Sequence, residues 1–298
     1  MSLFLFALLA VAIFMIALAV LSHRIFRVPQ KPPETTPADL DLPATAVSVP
    51  TVRGKRLHGW WIPATPEAPV IVAIHGWGGS SAVMLPLMVP FHRAGYNLLL
   101  IDARNHGQSE KDSFASMPRF AEDVACAVQW LREQPDYRDS RVILMGHSVG
   151  GAAVLLAASR RSDISAVVTF GAFAHPGEIT GRFLEIASVP RLLIPLMLHY
   201  IEWRIGHRWE EIAPVTTVCR IRCPVLLVHG TEDTTVPVEN AHRIHQACPR
   251  EDVELLLMEG VGHSPVEGME LHAGAILDFL ERAGSGTQRG KKPAGQVL

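Results

Sequence analysis

The chain has 298 residues, 48% of them apolar and 19% charged, and 27 Lys and Arg against 29 Asp and Glu give a formal net charge of −2. That is enough chain and enough apolar matter for one large domain with a sizeable core, which excludes disorder of the whole. The near balance of charge, with no basic stripe interleaved with aromatics, gives no general attraction for nucleic acid and argues against such a partner.

The first predicted element is an uncharged run from Leu3 to Leu21. As a helix rising about 1.5 Å per residue it reaches about 28 Å, close to the hydrocarbon thickness of a bilayer, where a helix can satisfy its own backbone. A cleaved signal peptide and a buried helix are the competing readings. No Lys or Arg precedes the run, which is also long for a signal core. Arg24, Arg27 and Lys31 follow it, and positive charge after a span places the following domain on the cytoplasmic side. The expectation is therefore a single-pass transmembrane helix over residues 1–28, with export after signal cleavage as the alternative. Residues 29–46, rich in Pro and Thr, read as an extended linker.

The main domain is expected over residues 47–283. Val47–Val52 and Leu57–Ile62 alternate around a Gly-Lys turn and predict an antiparallel hairpin. Short, apolar runs follow at Val70–Ile74, Asn97–Ile101, Arg141–Met145, Ala166–Phe170, Val225–Val228 and Val253–Met258. Such runs suit strands covered on both faces. Helical stretches lie between and after them at Ala82–Ala94, Phe120–Glu133, Gly150–Arg161, Val238–Gln246 and Met269–Arg282. The alternation predicts an α/β fold, a mostly parallel sheet with helices on both faces. Residues 284–298 read as a disordered tail. Cys126, Cys219, Cys223 and Cys248 show no metal-site spacing and read as free thiols of a reducing compartment, with a disulfide in an exported form as the alternative.

In parallel sheets the chemistry collects beyond the carboxyl ends of the strands. After the third apolar run comes Gly146-His147-Ser148-Val149-Gly150, a G-x-S-x-G turn between strand and helix. Such a turn exposes a serine Oγ and leaves the next N–H, on Val149, at a helix N-terminus where an oxyanion can bind. After the first run comes His75-Gly76-Trp77-Gly78-Gly79, whose glycines permit close approach; Trp77 N–H is the second expected oxyanion donor. Asp233 follows the fifth run, in a loop suited to a carboxylate that orients a histidine. Glu232 is its rival, and a helix-capping role the bland alternative. His263, between glycine-rich turns after the last run, completes the order Ser, Asp, His. In this triad His263 accepts the Ser148 proton and later returns it to the leaving group, while Asp233 fixes the imidazole tautomer.

The stretches HGWGG, DARNHGQS, GHSVG, HGTEDTTVP and GVGHS, in this order, resemble the α/β-hydrolase superfamily, in particular its monoglyceride-lipase-like, serine-aminopeptidase-type and cap-bearing esterase members. The resemblance covers about Val47 to Arg282. It implies backbone oxyanion donors at Trp77 and Val149, a structural role for the Asp102–Ser109 loop including Asp102 and His106, and a helical cap inserted at about 172–222. Asn105 departs from the Arg-Gly-His-Gly usual there. His199, Arg204 and His207 of the cap form no metal pattern, and the triad needs no cofactor or metal. The expected activity is hydrolysis of carboxylic esters of a small-molecule or lipid-like, hydrophobic acyl substrate through an acyl-enzyme. Peptidase, thioesterase or acyltransferase chemistry on the same triad, or a non-catalytic binding module, stays open. The sequence leaves the oligomeric state unassigned.

Overall fold

The computed structural model describes residues 3–30 and 33–286. Eight strands form one sheet: β1 (Thr45–Pro50), β2 (Arg56–Ile62), β3 (Val70–Ile74), β4 (Asn97–Ile101), β5 (Val142–His147), β6 (Ala166–Phe170), β7 (Val225–Gly230) and β8 (Val253–Met258). Their order is β1-β2-β4-β3-β5-β6-β7-β8. Strand β2 is antiparallel to β1 and β4, and every pairing from β4 across to β8 is parallel. The helices among the described residues are α1 (Leu3–Ile25), α2 (Ser81–Arg93), α3 (Met117–Glu133), α4 (Val149–Ser159), α5 (Pro176–Ile186), α6 (Ile194–Ile205), the single turns α7 (Trp209–Ile212) and α8 (Pro214–Thr217), then α9 (Glu239–Ala247) and α10 (Met269–Gly286).

The apolar runs become strands because both faces of the sheet are covered. In β3, Val70, Val72 and Ile74 point into a cluster with α3 and α4, while Ile71 and Ala73 point into a second cluster with α2 and α10. A two-residue side-chain period with apolar matter on both sides leaves no position for a polar residue. Helix α3 starts at Met117, three residues ahead of the expected Phe120, because Ser116 is extended and Pro118 suits a first helical turn.

Between β6 and β7 the chain leaves the sheet and builds α5 to α8. Leu184, Val189, Met197 and Tyr200 of this segment form a small core of their own, and Leu18 of α1 belongs to it. This corrects the expectation for the N-terminus. Among the described residues no helix is long and apolar enough to cross a membrane. The physical reason lies in the end of α1: its last turn carries His23 and Arg24, and Leu18 and Ser22 are buried against protein. The transmembrane anchor over 1–28 and the single-pass placement built on it are therefore set aside.

Two further expectations change. Cys219 and Cys248 form a disulfide with Cα atoms 5.3 Å apart, leaving Cys126 and Cys223 as free thiols. The pairing was invisible in sequence because it depends on the single turn after α8 meeting the end of α9. At the C-terminus α10 continues to Gly286, so the expected tail cannot start at 284, and residues 287–298 lie outside the described residues.

One buried ion pair fixes the loop after β4. Arg104 Nε donates to Asp123 Oδ1 at 2.7 Å, the Arg104 backbone N–H donates to Oδ2 at 2.9 Å, and the Thr51 hydroxyl donates to Oδ1 at 2.8 Å. Arg104 also meets Glu122 at 2.7 Å and Asp112 at 3.3 Å, so removing Asp123 leaves the guanidinium partly paired but strands buried donors on Arg104 and Thr51. Asp123→Ala is expected to lower stability by about 1–3 kcal/mol, read as a shift of the urea unfolding midpoint.

Candidate active site

The parallel strands are in register, so their carboxyl ends open on one rim. Ile74 of β3 pairs with Gly146 of β5, and His147 of β5 pairs with Phe170 of β6. Ser148 follows directly and holds φ 54°, ψ −118°, an arrangement that side chains rarely adopt. Its backbone N–H donates to Phe170 O at 2.7 Å. The flanking glycines explain the turn. A Cβ on Gly146 would strike the Gly150 carbonyl, and a Cβ on Gly150 would strike the His75 carbonyl oxygen. Strand, helix and the loop after β3 therefore close on one another until only Ser148 can project outward.

Asp233 and His263 meet across the loops after β7 and β8. His263 Nδ1 lies 2.7 Å from Asp233 Oδ2. A carboxylate only accepts, so Nδ1 is the donor in this contact and Nε2 is the ring nitrogen turned away from it. Asp233 is 5% exposed and is saturated with donors. Oδ1 accepts the N–H groups of Thr235 and Val236 at 2.9 and 2.8 Å. His229 Nε2 lies 3.3 Å from Oδ2 and 2.7 Å from Val236 O; since both neighbours accept, Nε2 donates. Burial alone would raise the Asp233 pKa, but the bonds from His229, His263 and Val236 outweigh it and hold the carboxyl well below the usual range. Glu232 is exposed, and the N-cap position of α9 is Val238, so the Asp233 carboxylate serves the histidines rather than a helix end.

The pair sits against the Ser148 turn. A Cβ on Gly171, the residue after Phe170, would lie 3.3 Å from both Asp233 Oδ2 and the His263 ring. His147 Nε2 lies 2.9 Å from the His263 carbonyl, and the two rings are 4.8 Å apart. The Ser148 hydroxyl itself has no hydrogen-bond partner among the described residues. Trp77 and Val149 flank the same turn. Val149 is the first residue of α4, so its N–H has no acceptor within the helix. Gly76 brings the Trp77 loop in, since a Cβ there would lie 3.2 Å from Ser148 Cβ.

Asp102 and His106 stand apart from this chemistry. Asp102 accepts from Ser81 N at 2.6 Å, Gln108 N at 2.8 Å and His58 at 3.2 Å, which ties the loop after β4 to the start of α2. His106 is packed among Trp77, His75 and Phe120. Ser148, Val149 and Trp77 line a cavity of about 960 Å³ under α5 and α6, at the upper end of the range for small-molecule sites. Its walls are mostly apolar, with Phe173, Ile179, Phe183 and Ile205 among them. Sequence reasoning assigned no role to His229, although its place four residues before Asp233 at the end of an apolar strand was a usable signal. It also missed residues 22–30 as cavity lining, for which no local signal existed.

The family model described as "Serine aminopeptidase, S33" matches residues 65–215. Among curated proteins, YfhR of Salmonella typhimurium is 24% identical over 266 residues, 83% of this chain and 84% of that protein. The alpha/beta hydrolase domain-containing protein WAV2 of Arabidopsis thaliana is 24% identical over 83% of this chain and 82% of its own. Among solved structures, the Pyrococcus furiosus esterase Pf2001 superposes with a TM-score of 0.69 at 24% identity, covering 86% of this chain and 97% of that one. Est1E of Butyrivibrio proteoclasticus, solved with ferulic acid, gives a TM-score of 0.63 at 20% identity over 80% of this chain and the whole of that one, 100%. At these identities the solved structures share the fold.

Three histidines beside the site are held neutral. Burial and then the neighbouring His263 push His147 down to about 4, burial and then His75 push His106 down to about 3, and burial lowers His75. The unfolded chain takes up these protons near the ordinary histidine value of about 6.5 and the fold does not. Stability is therefore full above that value and falls as pH drops toward the lowered ones. Asp233 acts in another window, since a depressed carboxyl loses its contribution only below the ordinary carboxylate range. The urea midpoint is expected to fall between pH 7.5 and pH 5, and His147→Gln, which keeps a donor for the His263 carbonyl, is expected to shrink that fall.

Proposed function

Because the chain belongs to the serine aminopeptidase-type family of α/β-hydrolases, we propose that it is a serine hydrolase cleaving carboxylic esters with an apolar acyl group. The proposed nucleophile is Ser148, with His263 as base and Asp233 as the group that orients it. The observation that carries the reading is the 2.7 Å contact of His263 Nδ1 with Asp233 Oδ2, set against the Ser148 turn at the wall of an apolar cavity.

The chemistry follows from the proton positions. His263 Nε2 takes the Ser148 Oγ proton while Oγ bonds to the ester carbonyl carbon. The charge that develops on the carbonyl oxygen is received by the N–H groups of Trp77 and Val149, which need no reorganisation at that moment. The tetrahedral species collapses, the C–O bond to the leaving alcohol breaks, and His263 returns its proton to that oxygen. A water, deprotonated by the same Nε2, then attacks the acyl carbon; the Oγ–C bond breaks, the acid leaves and His263 returns the proton to Ser148 Oγ. Asp233 stays ionised throughout and stabilises the transient imidazolium.

Apolar walls favour an ester over a charged peptide terminus. The strain at Ser148 fits the same reading, since outliers of this kind gather at functional sites.

Two measurements test it. Ser148→Ala is expected to abolish both labelling by a fluorophosphonate probe and hydrolysis of p-nitrophenyl butyrate; unchanged turnover would refute the assignment. Asp233→Asn is expected to lower kcat by about 10⁴-fold, because its amide can donate to Nδ1 and so favour the wrong tautomer of His263.

A further inference from the structure

One wall of the active-site cavity comes from outside the α/β domain. Ser22, Ile25 and Phe26, with the residues that follow as far as Gln30, line it together with Ser148. This stretch is pinned at both ends. Before it, Leu18 is buried with Leu184, Met197 and Tyr200, and Ser22 is 8% exposed. After it, the Gln30 amide Nε2 donates to Ser109 O at 2.7 Å and to His106 O at 3.4 Å. Between the pins the chain passes over the opening formed by α5, α6 and the loop after β4.

Phe26 is the side chain that reaches inward. Its ring meets Trp77 edge-on at 6.2 Å, and Trp77 in turn stacks on Phe120 at 6.3 Å. The row leads from the core to the cavity, and Trp77 remains 38% exposed despite it, leaving apolar ring surface for a ligand. Ser148, Trp77 and Phe26 line the same cavity, so an acyl chain attached at Ser148 has this row of rings within its reach.

We infer that residues 22–30 form the far wall of the acyl pocket and select esters whose acyl chain is long enough to pack against Phe26. The inference rests on the ester-hydrolase reading above and adds the substrate class, medium-chain and longer acyl esters. A chain that touches Phe26 does so in both the bound and the reacting state, so the benefit lies mainly in KM.

The test uses the full chain and p-nitrophenyl acetate and octanoate. The ratio of kcat/KM for octanoate to that for acetate is expected to fall about tenfold in Phe26→Ala, chiefly through the octanoate KM. Gln30→Ala, which unpins the segment, is expected to move the ratio the same way. Val20→Ala, at an exposed position of α1 outside the cavity, is expected to keep the wild-type ratio. Phe26→Trp, which keeps a ring and narrows the pocket, is expected to shift preference toward shorter chains. A wild-type ratio in folded Phe26→Ala or Phe26→Trp overturns the inference. Octanoate binding to Ser148→Ala, with and without Phe26→Ala, is measured by calorimetry and is independent of turnover. Weaker binding in the double variant supports the wall even if Ser148 proves not to be the nucleophile, and equal binding overturns the wall even if it is.

Discussion

Ser148 keeps φ 54°, ψ −118° because the backbone on either side of it has no room for side chains. Gly146 faces the Gly150 carbonyl, and Gly150 faces the end of β3. That contact draws the start of α4 against two strands at once. The cost of a serine at this positive φ, of order 1–3 kcal/mol, is borne by the packing of α4, from Ala152 to Ala158 at most 2% exposed. An oily helix with no polar face is stable here because its whole circumference is buried. The position of Ser148, the place of Val149 at the first position of α4 and the approach of the Trp77 loop are consequences of the same crowding.

A second constraint governs the electrostatics. The Asp233 carboxylate receives two backbone N–H groups and two histidines. Each donor favours the charged form, and together they overcome the burial that opposes it. The carboxylate is thereby fixed in orientation as well as charge. His229 contributes to this without reaching the cavity, which makes it a positioning residue. His147 and His106, by contrast, are kept neutral by burial, so they add no competing cation near the imidazole of His263.

Much of the architecture was legible in the sequence where the chemistry is local. Val70–Ile74, Asn97–Ile101, Ala166–Phe170 and Val253–Met258 coincide with strands to the residue, because an apolar run bounded by turn residues has few other ways to hide its surface. The family resemblance was equally legible, since its motifs stand in fixed order at strand ends. What the sequence concealed depends on distant segments meeting. The apolar stretch after Leu3 is compatible with lipid, with a signal or with protein, and composition alone does not distinguish among these environments. Leu18 is buried with Tyr200 and Met197, a contact that exists only once the segment between β6 and β7 has folded. The contact of Gln30 with the loop at Ser109 spans 79 positions and leaves no periodic trace.

The disulfide between Cys219 and Cys248 encloses β7, the turn bearing Asp233 and all of α9. Closing a loop of this length removes conformational freedom from the unfolded chain, worth about 3–4 kcal/mol in the chain-entropy account. A thiol reductant would act on this segment first, although neither sulfur touches Asp233 or His263. Redox state would then govern how long the Asp233 turn stays in register with His263, making the lifetime of that contact the quantity sensitive to the surroundings.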